Sequence, residues 1–227
     1  MNGIPGVLRI YTKQKLSWIY LPWAITAFSF LTNYFISLMV NGDSFYAGGL
    51  ATIFIYVFVG ALVSVLQLFP FALGFSIRRT DFFAGSVLML VSYSIFTSII
   101  LLVLAEVERS TGSWGNRVSF FKLPYLNDGT LLEQFMIYFI VLVSFAFIGM
   151  GIGVFYLRHR GIKTFVMLAA YFILISGLSV LITQYGWWGH VIDWVVKNTA
   201  FELSLWFIPI TLILALFSYR SIRKSSV

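Results

Sequence analysis

The sequence predicts an all-α polytopic membrane protein with six transmembrane helices, and three observations lead there. Of 227 residues, 60% are hydrophobic and only 10% charged, with a mean hydropathy of +0.94. A soluble domain cannot hide that much apolar surface, because its exterior needs polar cover. Apolar runs of about 20 residues recur, the length that crosses the hydrocarbon core as a helix. Basic residues gather in alternate connections, the bias that orients helices in a bilayer.

The elements follow in order within a single domain, 1–227. Residues 1–17 contain "IPGVLRIYTKQKL", Ile4 to Leu16, in which apolar Val7, Leu8, Ile10 and Tyr11 alternate with cations. This reads as an interfacial elbow helix. The first span covers about 18–39, with Pro22 in its opening turn, where proline is tolerated. Its apolar run is too long for a signal-peptide core and lacks a small-residue cleavage site, so it is expected to stay in the mature protein. Further spans are expected at about 49–71, 82–105, 135–157, 165–183 and 200–219. Glu106 to Gln134 forms one long loop. In Gln184 to Thr199, Trp188, Val191, Ile192 and Val195 follow i, i+3, i+4, i+7 spacing, and Asp193 and Lys197 are placed to pair. This predicts a short amphipathic helix in the outer leaflet before the last span. There is no internal repeat.

With both termini on one side, that side carries 11 of the 15 basic residues (Arg9, Lys13, Lys15, Arg78, Arg79, Arg158, Arg160, Lys163, Arg220, Arg223 and Lys224) against one acid, Asp81. The other side carries four cations against seven acids. The net charge of +7 is therefore a topology signal with cytoplasmic termini, rather than a nucleic-acid footprint.

Chemistry-bearing motifs are missing. There is no cysteine, no phosphate-binding G-x-x-x-x-G-K-[ST] and no G-x-S-x-G. His159 and His190 lie in separate connections, and no cluster has metal-ligand spacing. No ionisable residue falls in the middle of a span, where proton-coupled machinery would need one. Asn33 and Gln67 are the polar exceptions, expected to make interhelical hydrogen bonds. Gly149 and Gly153 have the small-x-x-x-small spacing of close helix packing, either within the chain or at a dimer seam.

One cytoplasmic turn is denser in signal. In "GFSIRRTDFF", Gly74 to Phe83, Pro70 and Gly74 weaken the end of span two, Thr80 is a suitable N-cap, and Asp81 complements the next helix dipole. By charge alone the turn is either a topology anchor or a docking element.

The longer phrase "LFPFALGFSIRRTDFFAGS", Leu68 to Ser86, resembles the segment after the second span of bacterial ABC-2-type transporter permeases, the transmembrane subunits of type V ABC exporters. The elbow, the six spans, the basic link between spans four and five and the outer amphipathic helix agree with that family over essentially the whole chain. The 29-residue external loop is longer than a minimal permease needs. The resemblance implies a non-catalytic permease in the bacterial cell membrane that moves hydrophobic or amphipathic cargo outward, such as a lipid, drug or antimicrobial peptide, and so implies multidrug or peptide resistance. It implies no cofactor in this chain, ATP and Mg on two copies of a partner ATP-binding subunit, and a second permease chain, identical or homologous. It further implies that Phe75, Ile77, Arg78, Arg79, Thr80, Asp81, Phe82 and Phe83 form a coupling helix. Arg158, His159, Arg160 and Lys163 would form a second cytoplasmic contact. Spans one, two and five would line a pathway with Phe28, Phe30, Phe54, Tyr56, Phe58 and Phe172. Two other classes stay open: an outer-interface enzyme using Glu106, Glu108, Asp193 or His190, and a non-transporting sensor or immunity protein that binds a peptide through the long external loop.

Overall fold

The computed structural model describes residues 3–39, 45–114, 118–122, 129–159 and 161–224. Among these, six helices are long and apolar enough to cross a membrane, and the chain is an all-α polytopic protein. It begins with α1 (Gly3–Lys13), followed by a π-helical turn, Leu16–Tyr20, that opens into α2 (Leu21–Met39). Pro22 explains the wide turn. A proline has no N–H to give the carbonyl four residues back and its ring crowds that carbonyl, so the preceding turn expands. Next come the short strand β1 (Phe45–Tyr46), α3 (Ala51–Gly74), α4 (Arg79–Ser110), strand β2 (Val118–Ser119), α5 (Leu131–His159), α6 (Ile162–Gln184), α7 (Trp188–Lys197), α8 (Ala200–Leu205) and α9 (Phe207–Lys224).

Several helices outrun the apolar runs that predict them. α4 continues to Ser110 rather than stopping at Ala105, and α5 begins at Leu131 rather than Phe135. Hydropathy marks where lipid ends, whereas polar residues continue a helix without difficulty. The last span is broken at Trp206 into α8 and α9, because Pro209 cannot bond the carbonyl of Leu205. α8 opens with a reciprocal capping box between Thr199 and Glu202.

α5 is the centre of the bundle, packed by α3, α9 and α4. Lipid is as apolar as leucine, so helices gain little from merely hiding apolar side chains from it, and close approach decides the pairing. Gly149 and Gly153 provide that approach. A Cβ at Gly149 would overlap the Phe58 carbonyl oxygen of α3, and one at Gly153 would come 3.0 Å from the Leu62 carbonyl oxygen. On α9, Thr211 shares a 2.8 Å hydroxyl hydrogen bond with Ser144 of α5. Asn33 makes no interhelical bond of the kind expected. Its amide donates to the Ser29 carbonyl within α2, at 2.8 Å. Gln67 is exposed on α3 and has no hydrogen-bond partner among the described residues.

α1 lies against the start of α4. Val7 packs on Gly85, whose missing side chain makes the room, and the buried Tyr11 hydroxyl donates to Ser86 Oγ at 3.1 Å. Burial pushes the Tyr11 phenol up to about 12, so it remains a donor. Tyr11 also meets Trp18 edge-on, and Trp18 meets Tyr93 likewise, with ring centroids 6.0 and 5.1 Å apart. In contrast, α6 buries only Thr164 and α7 buries nothing. The amphipathic α7 covers the expected residues, but Asp193 and Lys197 do not form the expected ion pair. Among the described residues the salt bridge is Arg109–Glu106, at 2.8 Å.

The opposite end of the bundle carries an organised cap. Phe45–Tyr46 pairs in parallel with Val118–Ser119, and the Ala47 amide donates to the Ser119 carbonyl at 2.9 Å. Phe30 of α2 receives Trp114, Phe120 and Phe121, with centroids 5.1, 5.4 and 5.8 Å away. Glu108, 1% exposed, holds the loop from the last turns of α4. Its carboxylate accepts from Trp114 Nε1 at 2.8 Å and from the backbone amides of Phe120, Phe121 and Lys122 at 3.1, 2.9 and 2.9 Å. The Tyr138 hydroxyl donates to the Phe121 carbonyl at 3.1 Å.

Candidate functional site

The basic turn between α3 and α4 is built by a helix stop. The Ile77 amide reaches the Ala72 carbonyl at 3.2 Å and the Ser76 amide the Leu73 carbonyl at 2.9 Å, the paired bonds of a Schellman motif. Ser76 takes the left-handed position with φ 58°, a place usually given to glycine. Gly74 was expected to weaken the helix end, yet it is still helical, and the reversal falls on Ser76. Arg78 is extended (φ −66°, ψ 143°) and is the residue from which α4 starts, with no side-chain cap. Thr80, expected as the cap, is already inside the first turn. Asp81 follows it, where the unsatisfied amides favour a carboxylate.

The expected coupling residues divide by burial. Ile77 is 3% exposed and Phe82 1%, so they are core residues rather than apolar knobs. Phe82 packs on Phe69, with centroids 5.2 Å apart. Phe83 is half-buried against Tyr219 of α9 at 5.3 Å. Arg79 donates to the Arg223 carbonyl at 3.3 Å, serving the end of the last helix, where backbone carbonyls lack partners. The exposed set is Phe75, Arg78 and Thr80, with Asp81 half-exposed. Arg78 has no ion pair or hydrogen-bonded side-chain partner among the described residues. The turn is also a turn and not a separate helix: residues 75–78 are non-helical.

Four elements meet at this turn. α9 is joined through Arg79 and Phe83, the start of α1 lies beside Asp81, close enough that a Cβ on Gly3 would stand 3.4 Å from Asp81 Oδ2, and α3 and α4 enter it directly. The result is a braced, cationic promontory. In the second basic link, Arg158 and Lys163 are exposed. His159 stacks on Phe155 at 4.4 Å, and Phe155 in turn stacks on Phe217 of α9 at 6.4 Å. Arg160 lies outside the described residues.

The residues expected along a pathway are not brought to one surface within this chain. Phe28 and Phe172 are 75% and 72% exposed on α2 and α6. Phe54 approaches Phe145 of α5 at 6.2 Å, Phe58 lends its carbonyl to the Gly149 contact, and Phe30 belongs to the cap over the 118–122 segment. The Tyr56 hydroxyl donates to the Ser17 carbonyl in the π-helical turn.

The acids weighed for outer-interface chemistry are also accounted for. Glu106 pairs with Arg109, all of Glu108's accepting capacity is turned onto loop amides and Trp114, and His190 and Asp193 are on the exposed α7. Among the described residues no group of three His, Cys, Asp or Glu side chains could hold a metal ion. Glu108 is the residue whose task sequence reasoning missed. Its signal was available: an acid in the last turns of a helix opposes the dipole, so something else must hold it there. No family model, curated protein or solved structure matches this chain.

Proposed function

We propose that this chain is the membrane-spanning permease subunit of an ATP-driven exporter of the ABC-2 type, working with a separate ATP-binding subunit. The observation that carries the reading is the braced turn with Phe75, Arg78 and Thr80 exposed and Asp81 beside them. A cation without an ion pair among the described residues and an exposed aromatic ring, carried by one turn tied to α1, α4 and α9, suit a docking element that must transmit force rather than flex. In this reading ATP and Mg are bound by two copies of the partner, and the basic end of the bundle, with both termini, faces the cytoplasm of a bacterial cell. Arg158, His159 and Lys163 supply the smaller contact.

The second permease chain covers α6, whose apolar surface this chain leaves open, and cargo moves between the two copies. The exposed Phe28 and Phe172 are suited to that boundary, and their character suits a hydrophobic or amphipathic cargo. Phe54 and Phe58 belong to subunit packing instead.

The test is capture of the chain from its native membrane, followed by ATPase measurement. Arg78→Glu is the informative change, because Arg79 already bonds α9 and its reversal would disturb the fold. Loss of the ATPase partner or of stimulated hydrolysis with Arg78→Glu supports the proposal, and a chain that comes down without an ATPase overturns it. Reporter fusions at the C terminus and in the 106–134 loop test the orientation.

The organised outer cap favours one other reading, a sensor or immunity protein that recognises a peptide there. It requires that opening the cap abolish the phenotype while Arg78→Glu leaves it intact.

A further inference from the structure

A groove of about 530 Å³ runs between the elbow helix and the end of the second span, a volume within the range of small-molecule sites. One wall is α1, which contributes Arg9, Lys13 and Gln14; the other is α3, which contributes Gln67, Phe71 and Phe75. Arg9 and Lys13 are four residues apart and share one face of α1. Both are exposed, and among the described residues neither has an ion-pair partner and no acidic side chain lines the groove.

The α3 wall continues into the bilayer. Ile55, Val59 and Val63 are all exposed and precede Gln67, Phe71 and Phe75 at the same four-residue spacing. They form an outward ridge interrupted by one amide. Phe71 and Phe75 meet edge-on at 4.8 Å at the mouth. The groove therefore presents two cations at its rim, a polar amide one level in, and an aliphatic track beyond.

We infer that this groove binds an acidic glycerophospholipid of the leaflet on which α1 lies. The phosphate meets Arg9 and Lys13, the glycerol ester region lies at the depth of Gln67, and an acyl chain follows Val63, Val59 and Ile55. An amide exposed in a span finds no partner in hydrocarbon, and an ester carbonyl supplies one. Two uncompensated cations select an anionic head group over a zwitterionic one, as basic segments beside a membrane do. The inference needs only a membrane-embedded chain and does not depend on the transport reading. The lipid is a resident ligand that wedges the elbow against span two, not the cargo.

The test uses the full chain purified and delipidated in mild detergent, titrated with phosphatidylglycerol or with phosphatidylcholine of the same acyl chains, and read by native mass spectrometry as single lipid adducts. Phosphatidylglycerol is expected to bind at least about tenfold tighter. Arg9→Gln with Lys13→Gln is expected to weaken it about thirtyfold, at roughly one tenfold-or-less step per cation. Arg220→Gln with Lys224→Gln removes the same charge from the last helix and is expected to leave affinity within about twofold. Phe71→Gln keeps both cations and weakens both lipids, which covers the case in which the neutralised chain misfolds. Equal affinity for the two lipids, equal loss from both double variants, or displacement of phosphatidylglycerol by millimolar inorganic phosphate would each overturn the inference. Diffuse charge or a soluble anion site would then be the explanation.

Discussion

Substitution of Glu108 separates the stability of the cap it holds from that of the bundle. Its Oε1 accepts from Phe120 and Lys122, and its Oε2 from Trp114, Phe120 and Phe121. In Glu108→Ala four N–H donors lose their acceptor. If the cap stayed closed, at about 1–2 kcal/mol per orphaned donor the penalty would reach about 4–8 kcal/mol. Release of the 118–122 segment to water costs less, so the cap is expected to open while the helices stay packed. Hydrogen exchange at the amides of Phe120, Phe121 and Lys122 is the direct assay, and protection should fall by about 100-fold or more. The thermal midpoint, followed by tryptophan fluorescence, should drop only a few degrees, because the α3–α5 contact lies outside the cap. Glu108→Gln should fall between, since a carboxamide keeps one accepting oxygen and turns an NH₂ toward the donors that the other oxygen served. Unchanged protection in Glu108→Gln would refute the idea that the carboxylate holds the loop. A collapse of the whole fold would refute the independence of cap and bundle.

Other perturbations have expected outcomes of their own. Gly149→Ala should destabilise the solubilised chain by about 2–3 kcal/mol through overlap with the Phe58 carbonyl. Gly151→Ala, whose new methyl would meet Leu214 and Ser218 at 3.6 and 3.7 Å, should change stability by less than about 0.5 kcal/mol; equal midpoints for the two would remove the glycine seam from the account. Ser76→Gly should raise stability by about 1 kcal/mol by relieving the left-handed backbone, and a lowered midpoint would contradict that assignment. Tyr11→Phe should cost about 1 kcal/mol through loss of the bond to Ser86, seen as faster proteolysis of α1; unchanged cleavage would show that packing of Val7 on Gly85 alone holds α1.

What was legible in the sequence was whatever the bilayer dictates. Six apolar runs and the amphipathic segment that became α7 follow from length, periodicity and charge, and each falls on helix, although α4 and α5 outrun their expected limits and the last span is broken at Trp206. Neighbour relations were less legible, because a residue facing lipid and one facing another helix are equally apolar. Phe54 and Phe28 looked alike in the sequence, yet one packs toward α5 and the other is largely open. The same blindness placed Ile77 and Phe82 on a docking surface when they belong to the core. Small residues were the better guide: Gly149 and Gly153 marked the tightest contact because only a missing side chain permits it. The polar readings failed where a local partner was available. Asn33 turned to a carbonyl one turn back, and Thr80 was displaced as cap because the Schellman stop ends α3 at Gly74 and lets α4 begin directly after Arg78.

The emptiness around Gly161 bears on how the chain divides mechanically. Its φ of 62° turns the backbone between α5 and α6, and a Cβ there would touch nothing within 4 Å. On one side of that joint, helices touch backbone to backbone and can shift only as a block. On the other, α6 is a blade that holds to the rest of its own chain through few contacts. Gly186, with φ 65° and the same open surroundings, marks the other end of α6, so stiffening these two glycines, rather than any side chain in the block, is the economical way to arrest the blade.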